Sequence, residues 1–248
     1  MISTDEVRKV CNKYANIEYH QAKGALVGPI DCHRVFEKKE VHLSYSVEVK
    51  IPDSYPQVPP YVSILEGKIF GHKYPDGTLC LGLPIDVLLR LRKDPSILGF
   101  FDNILIPNLF WHAYCDKYGE EPWPVYSHGD AGWEERRNEE DLRQTYFGIL
   151  GTSDITVSLR LLKILLDETY MANPRCPCGS EYHLKDCHGI ALESLLKTPH
   201  IKTQNIRRHY EKLFQEALAT SEIEDVRPFQ AKRQRNLHLK RRRNRKRR

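Results

Sequence analysis

The most regular pattern in the chain is a strict alternation. Val41, Leu43, Tyr45, Val47, Val49 and Ile51 are apolar, and the residues between them are polar or small. A period of two puts one set on the core side of a pleated strand, so 41–51 predicts a half-buried antiparallel strand. Upstream, Ser3 and Glu6 fit a capping box, and Val7, Val10, Cys11 and Tyr14 fall on one helical stripe. Residues 24–36 read as extended. The segment PDSYPQVPP at 52–60 carries four prolines, which exclude helix and central strand, and 61–65 predicts a second short strand. Residues 67–84 show no period; Gly71, Pro75, Gly77, Gly82 and Pro84 mark a long irregular loop that holds His72 and Cys80. A mostly helical stretch follows at 98–118, with Pro107 as a kink or break. Residues 121–133 read as an ordered surface loop and 134–144 as polar. Asp154 is placed to cap a helix running to about Met171, burying Leu159, Leu162, Leu166 and Tyr170. Another helix is expected at about 205–220.

Composition adds compartment and charge. Of the 248 residues, 40% are hydrophobic and 29% charged, which predicts a packed core and excludes wholesale disorder. The longest apolar candidate, 97–115, is interrupted by Asp102, Asn103, Asn108 and His112, and the first residues lack a signal-peptide core. A cytoplasmic protein with no membrane partner is expected. The net charge is +5, yet residues 231–248 hold eleven Lys or Arg and no acid. The remainder is mildly acidic. That tail is expected to be disordered and is a candidate for salt-sensitive nucleic-acid binding, or else a solubilising end. Trp111, Trp123, Trp133 and Cys115 read as packing residues.

Seven cysteines in an uneven spread argue against a disulfide framework. Cys176, Cys178, Cys187 and His188 form a C-x-C-x8-C-H set within RCPCGSEYHLKDCHG. Three thiolates and an imidazole suit zinc in a closed, structural tetrahedral site. His183 falls outside the pattern and is expected to be exposed. This segment closely resembles the SEC-C zinc motif, which implies a module that docks protein or nucleic acid.

Cys80 poses the chemical question. A thiol on a glycine-flanked loop is open to a bulky chain end, and its thiolate is the nucleophile. His72 or Lys73 would favour that thiolate, and His72 or Asp76 would accept the proton of an attacking amine. The bland alternatives are a buried cysteine between Leu79 and Leu81, a histidine pinning the loop, and a turn aspartate ahead of Gly77.

The order of pieces resembles ubiquitin-conjugating enzymes across roughly residues 3–125: Tyr55-Pro56, Pro59-Pro60, His72, then Gly77-Thr78-Leu79-Cys80-Leu81. A closer likeness is to bacterial homologues from anti-phage and ubiquitin-like modification operons, carried by Ile104-Leu105-Ile106-Pro107, Gly119 to Trp123, and His128-Gly129. The resemblance implies an α+β fold, an antiparallel meander sheet with flanking helices, here joined to a small helical and zinc-motif C-terminal region. It divides the chain into a conjugating-enzyme-like domain (1–133), a helical connector (134–172), the SEC-C motif (173–190), a helical segment (191–230) and the basic tail (231–248). It also implies that Cys80 accepts an activated protein C-terminus, such as that of a ubiquitin-like modifier, as a thioester. A separate adenylating enzyme would supply it and a target protein would receive it. The chain departs from the eukaryotic pattern in lacking a His-Pro-Asn triplet, and His72 is the candidate substitute for its asparagine. The alternative is an inactive module of the same fold, which binds nucleic acid or protein through its zinc motif and tail.

Overall fold

The structure is a computed structural model that describes residues 2–69 and 71–223; the basic tail lies outside the described residues. Helix α1 (Thr4–Lys13) leads into four antiparallel strands that pair in chain order, β1 (Glu18–His20), β2 (Ala25–Phe36), β3 (Lys39–Lys50) and β4 (Tyr61–Glu66). The chain is therefore mixed α and β, with the sheet first and helices after it. The Ser3 hydroxyl caps α1 by accepting the Glu6 N–H at 3.2 Å. The Glu6 carboxylate reaches elsewhere, accepting the Ile97 N–H at 3.3 Å. On β3 the alternation is realised: Val41, Leu43, Tyr45, Val47 and Val49 are all buried. They pack with Val10, Phe100, Phe101, Leu105 and Leu109 in one apolar core. Full burial of each such side chain contributes about 1.5–3 kcal/mol.

Helix α2 (Pro84–Lys93) is an element the sequence pattern had left unassigned. It begins with proline at its first turn, where the missing N–H costs nothing. Its Val87 and Leu91 enter the sheet core, while Ile85 and Leu88 enter a second core built by the C-terminal helices. The two cores thus meet along α2. Next come α3 (Ile97–Phe100), a π-helical turn (Phe101–Leu105) and α4 (Ile106–Tyr118). Pro107 is the reason for the interruption. It has no N–H for the carbonyl one turn back, and the widened turn absorbs the mismatch.

The second core gathers α5 (Asp130–Asn138), α6 (Leu142–Leu150), α7 (Ile155–Leu166), α8 (Gly189–Lys197) and α9 (Thr203–Ala219) around Tyr146, Leu162, Leu192, Tyr210 and Leu213. Trp133 is not in a loop, as expected, but buried on α5. Asp154 does cap α7, accepting the N–H groups of Thr156 and Val157 at 2.7 and 3.1 Å. The helix ends at Leu166 rather than near Met171, because Glu168 turns left-handed at φ 57°. Tyr170 is nonetheless buried, in a short 3-10 turn. Among the described residues, no helix is long and apolar enough to cross a membrane.

Arg136 of α5 ties these helices to α2. Its side chain is 3% exposed and binds Asp86 at 3.0 Å, Asp141 and the Thr145 hydroxyl. Burial raises the Asp86 carboxyl above its usual range, even with the guanidinium beside it.

Candidate active site and metal centre

The segment expected to be an irregular loop contains a miniature hairpin. The Cys80 N–H donates to the His72 carbonyl at 2.9 Å, and the Tyr74 N–H to the Thr78 carbonyl at 2.8 Å. Lys73 and Leu79 form a bridge between them. The turn is Tyr74-Pro75-Asp76-Gly77, closed by the Gly77 N–H on the Tyr74 carbonyl at 2.9 Å. Each turn residue has a physical reason. Pro75 presets its backbone angle, and Gly77 takes φ 87°, which a side chain would strain. Asp76 accepts the Thr78 N–H and hydroxyl at 3.0 and 2.6 Å. The Leu79 N–H then fastens the hairpin to β4 through the Val62 carbonyl at 2.7 Å.

This pairing puts His72 opposite Cys80 and Tyr74 opposite Thr78. Directly opposed residues project from the same face, with Cβ atoms about 4.5–5.5 Å apart. A separation of eight residues in the chain becomes a side-by-side pair. His72, Tyr74 and Cys80 all line a cleft of about 560 Å³. Its other walls include Asn108, Trp111 and His112 from α4, the stretch 123–129, and His200, Lys202 and Asn205.

Cys80 is only 6% exposed, with its sulfur 3.8 Å from the Gly82 carbonyl. The Asn108 amide donates to the Cys80 carbonyl at 3.1 Å, fixing the backbone beneath the thiol. The Asn108 Oδ1 is buried and has no hydrogen-bond partner among the described residues. Burial and the thiol of Cys80, to which it is hydrogen-bonded, raise Tyr74 well above the usual phenol range. Tyr74 therefore stays protonated as a donor beside the sulfur. Its ring stacks on His200 at 3.6 Å, inclined by 8°. Burial, with His128 adding to it, lowers His72 below the usual imidazole range, and His112 is pushed down to about 4 by burial and by His72. His72 is thus neutral at pH 7.

Of the residues singled out from sequence, His72 and Cys80 come together and Asp76 does not join them. Asp76 is exposed, is absent from the cleft wall, and is held below the usual carboxylate range by the Thr78 hydroxyl and N–H. It is a turn residue. Tyr74, Asn108 and His128 were missed. The P-D-G turn would have paired 74 with 78 and 72 with 80; nothing local marks Asn108, and His128 stands in the sequence only as part of the family likeness, with no site role. Trp111 and Trp123 are packing residues as expected: the Trp111 indole donates to the Trp123 carbonyl at 3.1 Å, and Trp123 stacks on Phe110.

Cys176, Cys178, Cys187 and His188 do converge and could hold a metal ion. The His188 Nδ1 lies 3.2 Å from the Cys176 sulfur and 3.1 Å from that of Cys187, and the sulfurs of Cys178 and Cys187 are 3.6 Å apart. A tetrahedral ion with metal–sulfur bonds of about 2.3 Å and metal–nitrogen bonds of about 2.0–2.1 Å has edges close to these. Hydrogen bonds from the Ser180 side chain and backbone hold the Cys178 thiol down to about 6, while burial pushes Cys176 up to about 11. The knuckle is stitched by the Cys176 N–H on the Tyr182 carbonyl (3.0 Å) and anchored by fully buried Leu184. His183 is exposed as expected, with Nδ1 2.8 Å from the Asn173 carbonyl. From this knuckle α8 leads to the connection 198–202, which carries His200 and Lys202 to the cleft. Comparison with family models, curated proteins and solved structures yields no match, so the chemistry rests on these residues themselves.

Proposed function

We propose that this chain is a cysteine acyltransferase of the ubiquitin-conjugating kind. The observation that carries the reading is the His72–Cys80 pair, held side by side by the hairpin on the wall of a cleft of about 560 Å³. The carbonyl carbon of an activated protein C-terminus bonds to the Cys80 sulfur as its bond to a donor thiol breaks, and the donor leaves as a thiol. A target amine then attacks the thioester, and Cys80 departs as a thiolate. Neutral His72 accepts the amine proton, and the Tyr74 hydroxyl donates to the sulfur as it leaves. The unpartnered Asn108 Oδ1 is an acceptor for a substrate N–H. A separate adenylating enzyme activates the modifier. The Cys3His cluster holds a structural zinc ion, and the SEC-C-like module with its basic tail selects the target.

The burial of Cys80 favours one other reading, a module of this fold that binds without acylation. One experiment separates the two. The tagged protein is isolated, without reductant, from cells that carry the adenylating enzyme, and its intact mass is measured. Acyl transfer predicts an adduct of the mass of a small protein, released by hydroxylamine and absent from Cys80→Ala. No adduct, or one that persists in Cys80→Ala, refutes the reading.

A further inference from the structure

A second group of ligating side chains lies inside the cleft. The imidazoles of His72 and His128 and the thiol of Cys80 bring their donor atoms within 4.8 Å of one another. The two rings have centroids 4.2 Å apart and are tilted by 55°, so they converge rather than stack. The three positions are also held firmly from behind. The hairpin fixes His72 against Cys80. His128 is exposed, but the residue before it is pinned: the Ser127 N–H donates to the Glu135 carboxylate at 2.9 Å. On the same helix Gly132 admits the Ser127 carbonyl so closely that a Cβ there would stand 1.9 Å from it.

We propose that His72, Cys80 and His128 form a second metal site, which takes a divalent cation of the zinc class and leaves its fourth position open to the cleft. One thiolate and two imidazoles are a donor set for a borderline ion rather than for magnesium or calcium. A tetrahedral ion needs these atoms about 3.3–3.6 Å apart, so the three side chains would close in on it from their present spacing of up to 4.8 Å. Binding releases the Cys80 proton to solvent, and a water molecule takes the fourth position. The Cys3His cluster differs in having all four positions filled by protein. One consequence rests on the acyl-transfer reading above: a sulfur bonded to the metal is unavailable to the acyl group, so metal and thioester exclude each other.

The test counts metal on the full-length protein. Native mass spectrometry during titration with zinc is expected to show two ions per chain for the wild type. His128→Ala and Cys80→Ser should each retain one, with the second ion bound more than tenfold more weakly. Because His128 is exposed, its variant should fold, and a circular dichroism spectrum checks that it does. Cobalt(II) added to protein already holding one zinc should give a tetrahedral visible spectrum with a thiolate charge-transfer band. That spectrum should be lost in His128→Ala. A wild-type chain that saturates at one ion, or a second ion indifferent to both substitutions, overturns the site. Thioester formation on a chain that binds one metal would overturn the site and spare the acyl-transfer reading. A second ion without any adduct would do the reverse.

Discussion

At the scale of residues, the proposed chemistry turns on His72, Tyr74 and Cys80 on one face of a hairpin that pairs residues eight apart in the sequence. His72→Ala should slow aminolysis by about 10²-fold, with thioester formation less affected, because thiolate exchange needs no strong base. A single-turnover assay that separates the two half-reactions reads this directly. The pH profile carries the same information. Burial holds His72 below the usual imidazole range, so the ring is already a neutral acceptor at pH 7. Corrected for the fraction of neutral target amine, whose ordinary pKa is about 10.4, the aminolysis rate should stay flat around neutrality and fall only in acid solution, as the ring protonates. A corrected rate that still climbs from pH 7 to 8 would point to a different proton acceptor. His72 and Cys80 were legible as candidates because both are chemically distinctive and lie near each other in sequence. Asn108 and His128 were not. Each is an ordinary polar residue until packing of α4 and α5 brings it to the cleft.

Elements set how firmly that arrangement is held. Gly77 takes φ 87°, and a Cβ there would meet open space, so Gly77→Ala tests backbone strain alone. A left-handed alanine costs about 1–2 kcal/mol. The variant should lose that much stability in urea denaturation and acylate more slowly, as the register of 72 against 80 loosens. The Arg136 cluster works between elements. Arg136→Ala leaves the half-buried Asp86 on α2 without its partner, which should cost about 1–3 kcal/mol. Unfolding curves that match the wild type would remove the cluster from the account. Strand β3 was readable from sequence because its period of two is uninterrupted over 41–51. Helix α2 was passed over although Pro84 opens it and Asp86 lies in its first turn. Its apolar residues serve two cores, so they do not form a single stripe. The end of α7 was misplaced for a similar reason: Tyr170 fits the helical period but reaches the core from a 3-10 turn after a left-handed residue.

The whole molecule is two cores joined along α2, with the cleft at the seam. Acid should act on both cores. His209 binds the Tyr146 hydroxyl at 3.1 Å and the Trp133 carbonyl at 2.9 Å, and burial pushes it down to about 4; His112 is likewise at about 4. Both are neutral in the folded chain and take up protons on unfolding below about pH 6.5. Their contribution to stability is therefore complete above that pH and is lost as pH falls toward 4, at most about 3 kcal/mol each. Denaturation midpoints that do not change between pH 7 and 5 would contradict this. Metal at the Cys3His knuckle should hold the C-terminal half of the seam. Cys176→Ser should lose one bound ion and raise hydrogen exchange in α8 and in 198–202, near His200. Strands β2, β3 and β4 were visible in the sequence pattern, but β1 and the seam were not, because the seam depends on how α2 and α5–α9 pack.

The measurement that reaches the central claim most directly is a trap at residue 80. Cys80→Lys, tagged and expressed where the adenylating enzyme is present, turns a transient thioester into a stable amide. Mass spectrometry of the peptide containing residue 80 should show a C-terminal remnant of the modifier on the lysine. An unmodified residue 80, together with an unmodified Cys80 in the wild type under non-reducing conditions, would contradict acyl transfer.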